Sequence, residues 1–366
     1  MSVLTADAAR KRSQPDKFGA RPFFTPGRVE TLREVLGPLD SAGLAHSADA
    51  RVNYEWNQRV MARPLDALPL GPINPWHIDE HYGDQTDDNE AQLAIVNSDW
   101  EMAVDCALRY LVTGEDAAAR ASVRILQAWA TIASFDTNSG SRLNWVDKWP
   151  MMIQAAMMVR DHSAYTGALH LNLQDVTRRG LALLTAFTND DNWAGWGVCY
   201  MLAAGVFLED RALFDTGIRR WRTVFDNAVR DDEPFREVYR QGSGTGDGSF
   251  GLWYSNFFLS AMTIAAEWAR FGGEWLYDYA GADGSTFQGL VLKIRHWTRF
   301  PAEYPYNSSG TPSQTVRIMA HDDILHALWP DAESQWLLDH FPTGSTRDNF
   351  GMRMFVLAYR YRPLIG

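Results

Sequence analysis

The sequence predicts an all-α protein, an incomplete α/α toroid (barrel) built from antiparallel helix hairpins. Three observations carry this. Apolar residues recur with a period near 3.6 along most of the chain. Period-two alternation, the mark of a strand, is not sustained anywhere for long. Short connections separate several of the periodic stretches, which makes neighbouring helices antiparallel. A long series of such hairpins closes into a toroid or stacks as a solenoid, and no repeat of fixed period supports the solenoid. The 366 residues show no convincing linker, so 1–366 reads as one domain.

In order, the predicted helices are Arg28–Leu36, Ala91–Leu111, Ala117–Ile132, Asp147–His162, Leu173–Phe187, Gly197–Leu208, Arg211–Val229, Tyr254–Arg270, Thr286–Thr298 and Gln335–His340. Thr113-Gly114-Glu115-Asp116 ends one helix and opens the next, and Phe271-Gly272-Gly273-Glu274 ends another. Three segments break the rhythm. Arg63–Asn89 is rich in Pro, Gly and Asp and carries Trp76, His77, His81 and Tyr82, so it is expected to be a lid or substrate-covering loop. Asp232–Gly251 is Gly-rich, and Ala302–Ser313 carries Pro, Ser and two Tyr. Loops on a rigid helical scaffold are where a site is placed.

The net charge of −11 argues against nucleic acid or an anionic membrane as the main partner. A polyanionic ligand would need a local basic cleft within this acidic envelope. No run of about 18 apolar residues predicts a membrane span. The polar N-terminus has no apolar core of a signal peptide, which leaves export and cytoplasmic residence both open. Cys106 and Cys199 sit in apolar helical patterns and read as buried free thiols. No HExxH, paired-His spacing, EF-hand or P-loop setting is present, so neither metal nor cofactor is expected.

Fifteen Trp and 13 Tyr are more than core packing ordinarily uses. Flat aromatic faces stack on sugar rings while their N–H and O–H groups reach hydroxyls. A Trp-rich core accounts for about half of them.

From Asp87 to Tyr279 the chain resembles the alginate lyase family of polysaccharide lyases. Four stretches carry the resemblance: DDNEAQLAIVNSDWEMAVDCALRYLVTGE, SRLNWVDKWPMMIQAAMMVRD, DNWAGWGVCYMLAAG and REVYRQGSGTGDGSFGLWYSNFFLSAMTIAAEWARFGGEWLYDY. The third is similar to the family's Asn-Asn-His-x-x-Trp segment, with Asn192 at the second Asn and Trp196 at the final Trp. Asp191 stands for the first Asn, and Trp193 for the catalytic His. In the fourth, Tyr254 falls at the family's catalytic Tyr, and Arg240 is the nearest basic residue before it, beyond a Gly-rich insertion. The resemblance implies an α/α toroid that cleaves an anionic, uronate-containing polysaccharide by β-elimination.

That reaction has three needs. The substrate carboxylate must be neutralised, a base must take the C5 proton, and an acid must protonate the leaving oxygen at C4. Asn192 is the candidate neutraliser; as part of Asp191-Asn192 before a helical run it is equally a helix cap. Tyr254 is the candidate base, acid or both. An unperturbed Tyr pKa of about 10 then requires a nearby cation, Arg240 or Lys148. The plainer reading of Tyr254 is a ring packed into the core. With no His at the family position, one Tyr does both transfers only if the C5 proton and C4 oxygen share a face. This predicts syn elimination at D-glucuronate or D-mannuronate.

Trp193, Trp145, Trp149, Trp253, Lys148, His77, His81 and Tyr82 are the candidate substrate contacts, and Lys148 is alternatively a solvated helix face. His321 is an alternative base, although its i, i+5 spacing to His326 does not put both on one helix face. Two other functions stay open. A glycoside hydrolase would use paired carboxylates among Asp190, Asp191, Glu237 and Asp247. A glycan-binding protein without catalysis would explain the aromatic content alone.

Overall fold

The computed structural model describes residues 24, 26–78, 87–241, 244–245, 250–306 and 321–340. Within them the chain is helical nearly throughout: α1 Pro26–Leu36, α2 Ala50–Asn53, α3 Asp87–Thr113, α4 Asp116–Trp129, α5 Ser139–Met158, α6 Gly167–Gly180, α7 Asn192–Phe207, α8 Arg211–Ala228, α9 Gly251–Phe271, α10 Phe287–Arg299, α11 His321–Leu328 and α12 Ala332–His340. The strands among the described residues are two short antiparallel hairpins, β1 Val229–Arg230 with β2 Glu233–Pro234 and β3 Arg240–Gln241 with β4 Gly244–Thr245. No helix of the described residues is long and apolar enough to cross a membrane.

Side-chain caps set several of the helix starts. Asn138, Thr166, Asp191, Asp210 and Thr286 each accept a first-turn backbone N–H of α5, α6, α7, α8 and α10. The cap at Asn138 starts α5 well before the predicted Asp147. Two helical segments escaped the sequence pattern: α2, which continues as π-helix over Tyr54–Val60, and α11. Both are short and bury polar side chains, Arg51, Glu55 and Arg59 in the first and His321, Asp322 and Asp323 in the second, so no purely apolar stripe marks their buried face.

Two kinds of helix make the wall. In α4, α8 and α10 one apolar stripe is buried and the opposite face is wet, the pattern of an outer layer. In α7 all residues but Trp193 and Met201 are buried, and in α9 all but Trp253 and Tyr254. Helices apolar all round belong inside, and α3, α5, α7 and α9 pack side by side in that order. This is the α/α toroid. The inner helices run parallel. The ends of α5 and α7 meet at the ion pair Arg160–Glu209. Gly205 near the end of α7 and Gly272 just after α9 both abut Phe214 at the start of α8. The N-termini of the inner helices therefore share one end of the toroid.

The two ends of the helical series are joined. Arg51 of α2 forms a buried 2.9 Å ion pair with Asp323 of α11. The core on the α3–α5 side is a cluster of indoles. Trp145 stacks on Trp149 with centroids 4.2 Å apart, and Trp100 lies against Trp76, Trp129, Trp145 and Trp149. Such pairs contribute about 0.5–1.5 kcal/mol each beyond the area they bury.

Candidate active site

The residues that escape burial on α7 and α9 mark the site. Trp193 is the second residue of α7, and Trp253 and Tyr254 are the third and fourth of α9. All three lie at the shared N-terminal end. Trp253 meets Tyr254 edge-on at 4.7 Å and stacks on Phe257, which also touches Trp196. Trp193 tilts against Phe187.

Arg240 arrives from the segment between α8 and α9. After the β1–β2 hairpin the chain turns, with Glu237 N–H donating to the Pro234 carbonyl and Arg240 N–H to the Glu237 carbonyl. Glu237 and Arg240 thus share one face of a turn. The Val238 carbonyl accepts the Tyr304 hydroxyl at 2.5 Å, and Phe250 N–H donates to the Arg240 carbonyl. Gly251 permits this closeness: a Cβ there would stand 2.1 Å from the Val238 oxygen. The result puts the Arg240 guanidinium over the Tyr254 ring, 4.2 Å from its centroid.

Behind Arg240 lies a buried carboxylate. Glu237 is 1% exposed, and its Oε1 accepts both the backbone N–H and the amide N–H of Asn192, at 2.8 and 2.9 Å. Its Oε2 accepts from Arg240 at 3.2 Å. Burial raises the Glu237 pKa, and Arg240 and the Asn192 hydrogen bonds pull it back. An ionised carboxylate only accepts, so the Asn192 amide nitrogen faces Glu237. Its oxygen is buried and has no partner among the described residues. Asp191, not Asn192, is the side-chain cap of α7; Asn192 is its first residue. Tyr254 is half-buried, and burial raises its pKa while Arg240 opposes the rise.

Several expected contacts lie elsewhere. Trp145 and Trp149 form no platform: they are buried in the indole core, with the Trp149 N–H donating to Thr177. Lys148 is not a solvated face. It is buried and paired with Asp147, so Arg240 is the cation on Tyr254. His321 is buried between α11 and α9, 2.5 Å from the Ser260 hydroxyl, and desolvation lowers its pKa, so it is no base facing solvent. His77 is half-buried and pairs with Asp136 at 2.8 Å, beside the cap of α5 and so at the same end of the toroid as Tyr254. His81 and Tyr82 lie outside the described residues. The first part of the expected covering loop is anchored. Leu70 and Gly71 N–H donate to buried Asp99, Trp76 bonds Ser134, Asp136 and Ser141, and Ile78 bonds Ser141. Sequence reasoning placed Glu237 among hydrolase acids and missed its place behind Arg240; its i, i+3 spacing to Arg240 was the available signal.

The profile of the family described as alginate lyase matches residues 62–303. The chain belongs to the alginate lyase family. It is therefore a polysaccharide lyase, a carbon–oxygen lyase, and the hydrolase and pure-binder readings fall away. Of the carboxylates a hydrolase would have needed, Asp190 pairs with Arg220, Asp191 caps α7 and Glu237 is tied to Asn192 and Arg240, while Asp247 lies outside the described residues. Solved structures share the lyase's fold. Alginate lyase A1-III from Sphingomonas species A1 is 17% identical with a TM-score of 0.70, over 95% of this chain and 97% of that one. A Tyr-to-Phe variant of A1-III complexed with tetrasaccharide matches over the same shares, at 17% identity and a TM-score of 0.69. An alginate lyase from Bacteroides ovatus is 13% identical with a TM-score of 0.56, over 99% of each chain. The comparison with curated proteins returned no match. Among the described residues no group of three or more His, Cys, Asp or Glu is arranged to hold a metal ion.

Proposed function

We propose that this lyase cleaves an alginate-type, uronate-containing polysaccharide by syn β-elimination at D-mannuronate or D-glucuronate, with Tyr254 as both base and acid. The observation that carries the reading is the Arg240 guanidinium on the Tyr254 face. A cation there favours the phenolate that a base requires, against the burial that opposes it. The Tyr254 oxygen takes the C5 proton, the C5–H electrons form the C4–C5 double bond, and the C4–oxygen bond breaks. The proton on Tyr254 then passes to the departing oxygen, which restores the phenolate. This needs both atoms on one face of the sugar, as in mannuronate and glucuronate.

Arg240 also supplies the positive charge that a carboxylate-bearing chain needs within an acidic protein. Asn192 is fully buried against Glu237, so neutralisation of the substrate carboxylate falls to Arg240. Trp253, edge-on to Tyr254, and Trp193, at the position of the family's His and at the same end of the toroid, are half-buried aromatic faces suited to a sugar ring. His77 contacts the chain further along the same end. The alginate lyases that share the fold, one of them complexed with tetrasaccharide, support the substrate class.

The test is the near-ultraviolet absorbance of the unsaturated product from polymannuronate, glucuronan and polyguluronate. Product from the first or second, and a fall of about 100-fold or more in Tyr254→Phe, is expected. Activity on polyguluronate alone overturns the syn mechanism.

A further inference from the structure

We infer that Glu237 is a positioning residue of this lyase: braced by Asn192, its buried carboxylate holds the Arg240 guanidinium on the face of Tyr254. The inference rests on the reading of Tyr254 as the proton-transfer group.

A carboxylate at 1% exposure is costly unless every lone pair is used. Helix capping alone does not explain this one, because Asp191 already caps α7. Glu237 divides its oxygens instead. Oε1 is tied twice to Asn192 at the electropositive start of α7, which fixes the carboxylate against rotation. Oε2 is left for Arg240. Arg240 is half-buried on a long side chain that loses rotamer freedom on ordering. A partner fixed at both ends of its own network is what holds such a group over a ring. The relay runs from the α7 backbone through Asn192 and Glu237 to Arg240 and Tyr254. It joins the two inner helices on which the site stands, and the turn between Glu237 and Arg240 sets its length.

The charges on Tyr254 give the inference a sign. Arg240 favours its ionisation, and Glu237, the weaker influence, opposes it. Glu237 itself faces Arg240, the Asn192 amide and, with a small effect, Asp191. If Glu237→Gln removed only a negative charge while Arg240 stayed, Tyr254 would ionise more easily. If Glu237 holds Arg240 in place, both influences go and Tyr254 ionises less easily.

The experiment is a double-mutant cycle in the full chain with Glu237→Gln, Arg240→Met and the pair. Turnover of the polysaccharide that the wild type cleaves is followed across pH, and folding is checked by circular dichroism. Each single variant is expected to lower kcat on the order of 100-fold, the pair no further, and Glu237→Gln to move the midpoint of the kcat–pH profile upward. Losses that multiply in the double variant, or a midpoint that moves down, overturn the inference. Should Glu237→Gln fail to fold, Glu237→Asp keeps the charge and withdraws it by one methylene. Its kcat is expected to fall at least 10-fold, and an unchanged kcat overturns the inference. Full activity in Tyr254→Phe would instead refute the role of Tyr254, while the Glu237–Arg240 coupling would still be read from the cycle.

Discussion

The Arg240 guanidinium lies 4.2 Å from the centre of the Tyr254 ring, although a Gly-rich stretch separates the two in sequence. Burial raises the Tyr254 pKa and Arg240 lowers it. A base must be ionised, so kcat is expected to climb with pH above neutrality. Arg240→Gln removes the lowering influence and shifts the climb to higher pH. A profile of kcat against pH for both proteins checks this, and an unmoved climb in the variant removes Arg240 from the role.

Gly251 opens α9 where a Cβ would meet the Val238 carbonyl and the Tyr304 hydroxyl. Gly251→Ala must therefore push the turn carrying Glu237 and Arg240 away from α9. Overpacking of this kind costs about 1–3 kcal/mol. Activity is expected to fall more than stability, since the displaced turn carries Arg240. Paired measurements of turnover and denaturant midpoint decide it.

Arg51 and Asp323 tie the two ends of the toroid in a pair whose side chains are 6% and 0% exposed. Arg51→Ala leaves the Asp323 carboxylate buried without that partner. The expected loss of unfolding free energy is about 3–5 kcal/mol, read from urea denaturation. A loss below 1 kcal/mol would mean the ring closes by apolar packing alone.

Asp147 is buried beside Lys148, and burial pushes its carboxyl from 3.8 up to about 6. A folded pKa above the unfolded value means that its contribution is fully present below about 4 and lost as pH rises through about 6. Asp147→Asn has no such charge to bury. The difference in Tm, variant minus wild type, is expected to rise between pH 4 and 6 and to level off above. A flat difference across that window would show that Lys148 offsets the burial of the charge.

The helices were legible wherever a polar face broke the apolar pattern. The predicted Arg211–Val229 and Thr286–Thr298 differ from α8 and α10 by a residue or so at the ends. Helix α5 was found only in its second half, because its start depends on the cap at Asn138 and its polar first turns, residues 139–144, carry no apolar period. Trp145, Trp149 and Lys148 misled because α5 is buried all round from Trp145 onward. On a helix buried on every side, a residue's type no longer tells which way it faces.

Periodicity determined that this chain is a series of antiparallel helices, and the order of its motifs determined its likeness to the alginate lyases. Tyr254 was singled out as the candidate by its place in that order. Tertiary structure alone decided which of fifteen Trp face the site and which fill the core. It chose Arg240 over Lys148 as the cation on Tyr254, and turned Glu237 from a hydrolase acid into the brace behind Arg240. The physical reason is that helix period and caps are local and written in neighbouring residues. The company of Asn192, Glu237, Arg240 and Tyr254 depends on two parallel inner helices beginning at one end of the ring, and that follows only from how the helices pack.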